Sequence, residues 1–140
     1  MKASWLYRTA SVLMLLFAVG HTVGFRQDNP EWAAGSVIES MRSIHFDAQG
    51  FHRTYWDFFS AFGFFLTVFL LFTAVLAWQL GGLPAEIFAR LRGMAWPLVL
   101  CFAAITAVCW RYAFTTPLVF SALITICLLA ATWRAGKAPA

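Results

Sequence analysis

The chain has 140 residues, of which 61% are hydrophobic, 18% aromatic and 11% charged. A soluble domain carries roughly 25% charged residues and about 45 to 50% apolar ones, so this composition excludes a water-soluble globule. The net charge of +4 is spread over the ends of apolar runs and forms no basic cluster, which gives nucleic-acid binding little support. We therefore expect a membrane protein.

Four apolar runs are long enough to cross a membrane, since a spanning helix needs about 20 mostly apolar residues. They lie at about residues 5–25, 55–80, 94–114 and 117–133. We predict an all-α protein that forms a single transmembrane domain over residues 1–140. Its four helices would make a bundle, with an outer segment at 26–54 between the first two.

Local signals mark the ends of the second and fourth helices. Thr54 and Asp57 have the spacing of a capping box, in which hydroxyl and carboxylate satisfy the free N–H groups of a helix start. The segment 81–84, Gly-Gly-Leu-Pro, is expected to end the second helix. Thr116 is expected to cap the fourth helix, with Pro117 at its first position.

The first helix is expected to be retained, although Lys2 and Arg8 followed by an apolar stretch and Ala18-Val19-Gly20 also resemble a signal peptide. Its apolar character continues past that site to Phe25. With both termini in the cytoplasm, six Lys and Arg lie inside and four outside, as the positive-inside rule favours. We predict a multi-pass protein of the bacterial inner membrane, with residues 84–92 as a short cytoplasmic helical turn.

The outer segment is too apolar for a simple linker. Asn29 and Pro30 can start a helix, after which apolar residues recur at helix-like spacing. These are Trp32, Val37, Ile38, Met41 and Ile44. The pattern predicts a short amphipathic helix at the outer interface or over the mouth of the bundle.

Polar side chains converge at the outer end of the predicted bundle, and polar groups in a membrane are candidates for function. His21 and Asp57 each lie about one turn inside the outer end of their helix, which predicts a similar depth. Gly20 and Gly24 flank His21 and favour the close approach of a neighbouring helix. Arg111 lies near the outer end of the third helix. The outer segment and the start of the second helix add Arg26, His45, His52 and Tyr55.

The second helix carries a narrow stripe of small and polar residues. Asp57, Ser60, Phe64 and Thr67 recur at spacings of three and four, with Gly63 adjacent. This stripe predicts the face that points toward the other helices.

Each of these features also has a purely structural interpretation. Asp57 fits a helix cap, where the helix dipole favours a carboxylate by about 0.3 to 1 kcal/mol. His21 can bond to Asp57 or to a backbone carbonyl and tie two helices together. Arg111, beside Trp110 and Tyr112, fits an interfacial anchor.

Three functional hypotheses compete with these interpretations. In the first, the polar outer cluster of an integral membrane protein binds a lipid-like ligand or a partner, which is a membrane protein or a second copy. In the second, His21 and Asp57 act as an acid–base pair on a lipid-like substrate, with an outer arginine holding its anionic head. The third is a metal or haem site built from the three histidines and Asp57. Neither H-E-x-x-H nor C-x-x-C-H occurs, so we expect no metal and no cofactor.

The three cysteines, Cys101, Cys109 and Cys127, lie inside apolar runs and form no C-x-x-C pair. A membrane thiol oxidoreductase needs closely spaced, accessible thiols, so this class is disfavoured. We expect structural cysteines.

Three segments carry a resemblance to a known family: Gly20-His21-Thr22-Val23-Gly24-Phe25-Arg26, Met41-Arg42-Ser43-Ile44-His45-Phe46, and Tyr55-Trp56-Asp57-Phe58-Phe59 with Gly63. They resemble an uncharacterised family of small bacterial inner-membrane proteins with four spans. The resemblance covers most of the chain and implies the helix layout, but it brings no activity, cofactor or catalytic residue. Membrane glutathione transferases and sterol isomerases share the size and helix number, but their motifs are not matched.

Overall fold

A computed structural model describes residues 3–27, 30–32 and 34–135 of the chain. The elements are α1 (Ala3–Gly24), a 3-10 turn (Pro30–Trp32), α2 (Gly35–Ser43), β1 (His45–Ala48), β2 (Phe51–Thr54), α3 (Tyr55–Gly82), α4 (Ala85–Tyr112) and α5 (Thr115–Ala135). The predicted capping role of Asn29 and the charge of Lys2 lie outside the described residues.

Four of these helices, α1, α3, α4 and α5, are long and apolar enough to cross a membrane. The predicted all-α four-helix membrane fold is therefore confirmed, and the chain is a multi-pass integral membrane protein. The most apolar part of α3 has a mean hydropathy of 2.3 and is only 17% buried. Such an exposed apolar surface contacts lipid, whose tails are as apolar as the side chains themselves.

Helix α4 begins earlier than predicted. Residues 84–92 do not form a separate turn, because α4 starts at Ala85 and continues without a break through Arg90 and Arg92 to Tyr112. Arginine is a good helix former, so the helix extends well beyond its apolar stretch. Helix α5 begins at Thr115, which leaves Pro117 in the first turn, where a missing N–H costs little.

The outer segment contains a β-hairpin that was not predicted. Strand β1 pairs antiparallel with β2, with Ala48 opposite Phe51. Between them Gln49 and Gly50 have φ angles of 52° and 83°. Two consecutive positive φ angles in a two-residue loop match the twist of a hairpin, and glycine adopts them readily. The predicted amphipathic helix is present as α2 but ends at Ser43 to make room for β1.

The chain divides into two compact units, which we describe separately. The first unit comprises Met1–Phe17 and Leu70–Ala140, and the second comprises Ala18–Phe69. We call α2, β1 and β2 of the second unit, residues 35–54 without Ile44, the hairpin head.

The first unit packs the buried stripes of four helices against one another. Spacings of three and four residues bring one face of each helix inward. The buried positions include Tyr7, Ala10, Met14, Leu70, Ala74, Ala77, Phe102, Ile124, Leu128 and Ala131. Small residues on α3 let the neighbouring backbone approach closely.

Polar side chains in this core bond between helices. The Tyr7 hydroxyl lies 2.7 Å from Thr132 Oγ1, which joins α1 to α5. Ser11 Oγ donates to the carbonyl oxygen of Ala74 at 2.7 Å, which joins α1 to α3. Interhelical hydrogen bonds of this kind contribute about 0.6 kcal/mol each on average in membrane proteins.

Candidate functional site

His21 bonds to the backbone of α3. Its Nε2 lies 3.0 Å from the carbonyl oxygen of Gly63, and because that oxygen only accepts, Nε2 is the donor. The half-buried imidazole stacks on Phe25 with ring centres 5.1 Å apart. This geometry matches the structural interpretation of His21, in which the side chain links two helices through a hydrogen bond to a backbone carbonyl.

The predicted stripe on α3 does face α1. Thr67 Oγ1 lies 2.8 Å from Thr22 Oγ1. A methyl group added at Gly63 would lie only 2.6–2.8 Å from the Phe25 ring. The close approach predicted at Gly20 and Gly24 is wrong, because nothing lies within 4 Å of a Cβ at either position. The ring of Phe25, the residue directly after α1, fills the space beside α3 instead, so the glycine is needed at position 63 of α3.

Asp57 forms hydrogen bonds with Thr54 at the start of its own helix. Its Oδ2 accepts from the Thr54 backbone N–H at 2.9 Å and from the Thr54 hydroxyl at 3.0 Å. The Asp57 N–H in turn donates to Thr54 Oγ1 at 3.1 Å. The predicted capping box is confirmed.

The hydrogen-bonded pair of His21 and Asp57 is not formed. Both residues are described, and no hydrogen bond joins them; each binds the partner given above. Gly63, which holds His21, lies six residues beyond Asp57, or about 9 Å along the helix at about 1.5 Å per residue. The sequence predicts the depth of each residue along its own helix, but it does not determine the register of one helix against the other. A catalytic role for either residue stays a prediction.

The cap hypothesis predicts only a small effect of Asp57→Asn on stability. An asparagine still accepts from the Thr54 N–H, so we expect a loss below about 0.5 kcal/mol in the free energy of unfolding. Thr54→Ala removes the hydroxyl from both of its bonds and should cost about 1 kcal/mol. Reversible unfolding in mixed detergent micelles measures both. A loss of more than about 2 kcal/mol in Asp57→Asn would show that the carboxylate charge does more than cap the helix.

The hairpin brings three ionisable side chains onto one face. Asp47 is opposite His52 and His45 is opposite Thr54, and alternate residues of a strand share a face. His52 Nδ1 donates to Asp47 Oδ1 at 2.8 Å, and His45 Nδ1 donates to the Ser43 carbonyl at 2.9 Å. The imidazole rings stack with centres 4.9 Å apart. Since Nδ1 is occupied in both rings, Nε2 of each is the atom that can meet a ligand.

Arginines of the second unit rest on aromatic rings. The Arg42 guanidinium lies 4.6 Å from the ring centre of Trp56, and that of Arg26 lies 5.8 Å from Phe64. Arg53 lies 5.2 Å from the ring of its neighbour Phe51 and donates to a backbone carbonyl at 2.8 Å. A ring beneath the flat guanidinium fixes its plane and leaves its edge, which carries the N–H donors, available for an anion.

The remaining predicted site residues are Tyr55 and Arg111. Tyr55 is the first residue of α3, and its exposed ring lies 5.1 Å from Phe46 of the hairpin. Arg111 belongs to the first unit, where it is exposed and lies 5.0 Å from the ring of Tyr112. The structure thus places His45, His52 and Tyr55 on or directly after the hairpin, whereas Arg111 lies in the last turn of α4.

Sequence reasoning missed Asp47, Arg42 and Arg53. Asp47 was detectable, because the turn signal Gln49-Gly50 between short alternating segments is typical of a hairpin. Arg42 gave no such signal, since its partner Trp56 lies 14 residues further along the chain and across the hairpin.

Within residues 3–27, 30–32 and 34–135, no group of three or more His, Cys, Asp or Glu side chains is arranged to hold a metal ion. In comparisons with known proteins, no family model, curated protein or solved structure matched the chain.

Proposed function

We propose that this integral membrane protein uses its hairpin head to bind the anionic headgroup of a lipid-like ligand. The observation that carries the proposal is the position of Arg42, an exposed residue whose guanidinium lies 4.6 Å from the ring centre of Trp56. It belongs to the same hairpin head as the stacked pair His45 and His52. A fixed guanidinium edge matches the geometry of phosphate oxygens, and bonds of this kind are among the strongest in proteins.

Exposed apolar side chains support a position of the head at the membrane surface. Val37, Ile44, Phe51 and Tyr55 are each more than half exposed. Helix α2 has no buried residue, so its apolar side has no protein core to cover it. Apolar and aromatic groups of this kind insert at the level of the lipid headgroups.

The polar face of the hairpin supplies further side chains that can contact the ligand at the level of the lipid headgroups. His45 and His52 offer Nε2 atoms, and the Asp47 carboxylate that orients His52 is already engaged. In this proposal Arg42 binds the phosphate, and the two imidazoles, whose Nδ1 atoms donate within the head, accept through Nε2 from hydroxyl groups of the ligand. Arg26 and Arg111 remain further candidates for contacts with an anionic head.

We also propose that the protein resides in the bacterial inner membrane with both termini in the cytoplasm. The excess of Lys and Arg on that side supports this orientation, as does the resemblance described above. Residues at the start of α1 and the end of α5 line one cavity in the first unit, which agrees with both termini on the same side. Reporter fusions at Glu39 and at the C-terminus test this orientation.

Lipid binding by the head is testable with the full chain in a neutral detergent. Native mass spectrometry compares dioleoyl phosphatidylglycerol with dioleoyl phosphatidylcholine as added lipid. We expect preferential retention of phosphatidylglycerol, and we expect Arg42→Gln to weaken it about tenfold, the effect of losing one charge-assisted bond. His52→Ala should weaken it less.

Arg90→Gln is the matched control, because Arg90 is an exposed arginine of α4 outside the head. The proposal fails if both lipids are retained equally, or if Arg42→Gln and Arg90→Gln have the same effect. Arg111→Gln, measured in the same series, decides whether Arg111 contributes.

A further inference from the structure

A cavity of about 610 Å³ opens where four helix ends of the first unit meet. It is formed by the beginning of α1, the end of α3, the beginning of α4 and the end of α5. Cavities that bind small molecules commonly measure about 300 to 1,000 Å³. This one shares no residue with the hairpin head, so it is independent of the function proposed above.

The floor and one wall of the cavity are apolar. Tyr7 and Phe88 form a packed floor, with ring centres 5.6 Å apart, and both are nearly fully buried. The Tyr7 hydroxyl is bonded to Thr132 in the helix packing and is not directed at a ligand. The half-buried Leu80 and Leu83 add aliphatic surface. This lining suits a hydrocarbon chain.

The described residues that line the cavity contribute hydrogen-bond donors and a single cationic side chain. Arg134, in the last turn of α5, provides the positive charge, and Ser4 adds a hydroxyl. Ala85 is the first residue of α4, whose start has no side-chain cap and therefore presents backbone N–H groups. Among the described residues no carboxylate lines the cavity; Glu86 lines a separate groove with Arg90.

We infer that this cavity binds a single-chain anionic amphiphile of the fatty-acid class. Its acidic head pairs with Arg134, and its chain lies against Leu80 and Leu83. One lining cation matches one acidic group, and a carboxylate can accept two parallel N–H bonds from a guanidinium. The absence of a lining carboxylate among the described residues means that the acidic head meets no repulsion there.

Photolabelling of the full chain in phosphatidylcholine nanodiscs tests the inference. The probe is a palmitate analogue with a photoreactive group in its chain, and labelled peptides are mapped by mass spectrometry. We expect the label on peptides from the helix ends that line the cavity. Unlabelled palmitate should displace the probe, whereas hexadecanol, which has the same chain without the charge, should need a concentration about ten times higher. Arg134→Gln should lower the labelling about tenfold, and Arg90→Gln should leave it unchanged.

A second variant keeps the test decisive if Arg134→Gln does not fold. Ala85 is exposed at the mouth of the cavity, so Ala85→Phe fills the entrance while it preserves Arg134. We expect it to abolish the specific labelling with a normal helical circular dichroism spectrum. Label spread over the exposed surface of α3, equal displacement by hexadecanol, or full labelling of folded Ala85→Phe would each overturn the inference.

Discussion

Replacing Tyr7 with alanine is expected to be among the most destabilising single changes in the chain. Tyr7 is 1% exposed, its ring packs against Phe88, and its hydroxyl bonds to Thr132. Truncation leaves a cavity in the packing of the first unit and leaves the Thr132 hydroxyl without this partner. Aromatic-to-alanine changes in well-packed cores cost about 3 to 5 kcal/mol, so we expect a loss of about 3 kcal/mol in the free energy of unfolding.

Two further variants separate packing from hydrogen bonding at this position. Tyr7→Phe removes only the hydroxyl and should cost about 0.6 kcal/mol, the average for an interhelical bond in a membrane. Tyr112→Ala is the matched control, because Tyr112 is 78% exposed and should change stability by less than about 0.5 kcal/mol. Steric trapping or unfolding in mixed micelles measures all three. Equal stability of Tyr7→Ala and Tyr112→Ala would contradict the packing described for α1.

Gly81→Val is expected to destabilise the protein by about 2 kcal/mol, whereas Gly82→Val should have almost no effect. A Cβ at Gly81 would lie 3.0 Å from the Ser4 carbonyl oxygen and 3.1 Å from Tyr7 Cβ. Since Ser4 contributes backbone there, it cannot swing aside, and valine adds two methyl groups to the crowding. Overpacking of this kind costs about 1 to 3 kcal/mol.

The adjacent glycine provides the control in the same helix turn. Nothing lies within 4 Å of a Cβ at Gly82, and valine is a slightly better helix former than glycine. The melting temperatures of the two variants in one detergent give the comparison. If the Gly81→Val and Gly82→Val variants have the same melting temperature, then α1 and α3 are not in close contact at this point.

The four spans were predictable because hydrocarbon imposes a length and a composition that can be counted along the chain. The Thr54–Asp57 cap was predictable for a similar reason, since its bonds join residues three apart. The start of α4 at Ala85 was missed because a helix can continue into polar sequence, where hydropathy carries no signal. Local rules therefore succeed where the interaction itself is local.

The candidate site depended on contacts that no local rule supplies. The partner of His21 is set by the register of α1 against α3, and His21 bonds to the carbonyl of Gly63, six residues beyond the expected carboxylate of Asp57. The hairpin was missed because its strands are only four residues long and lie beyond the helix-like pattern of apolar residues, which ends at Ile44. The glycines followed the same rule: Gly63 of α3 and the ring that fills its space, that of Phe25 after α1, are far apart in the chain.

The junction between the hairpin and α3 has a mechanical consequence. Strand β2 ends at Thr54 and α3 begins at Tyr55, so no flexible residue separates them, and the bonds between Thr54 and Asp57 span the joint. A tilt of the strands must therefore either break those bonds or move the first turn of α3 with them. A force that acts on the hairpin head is thus transmitted directly to the membrane-spanning part of α3.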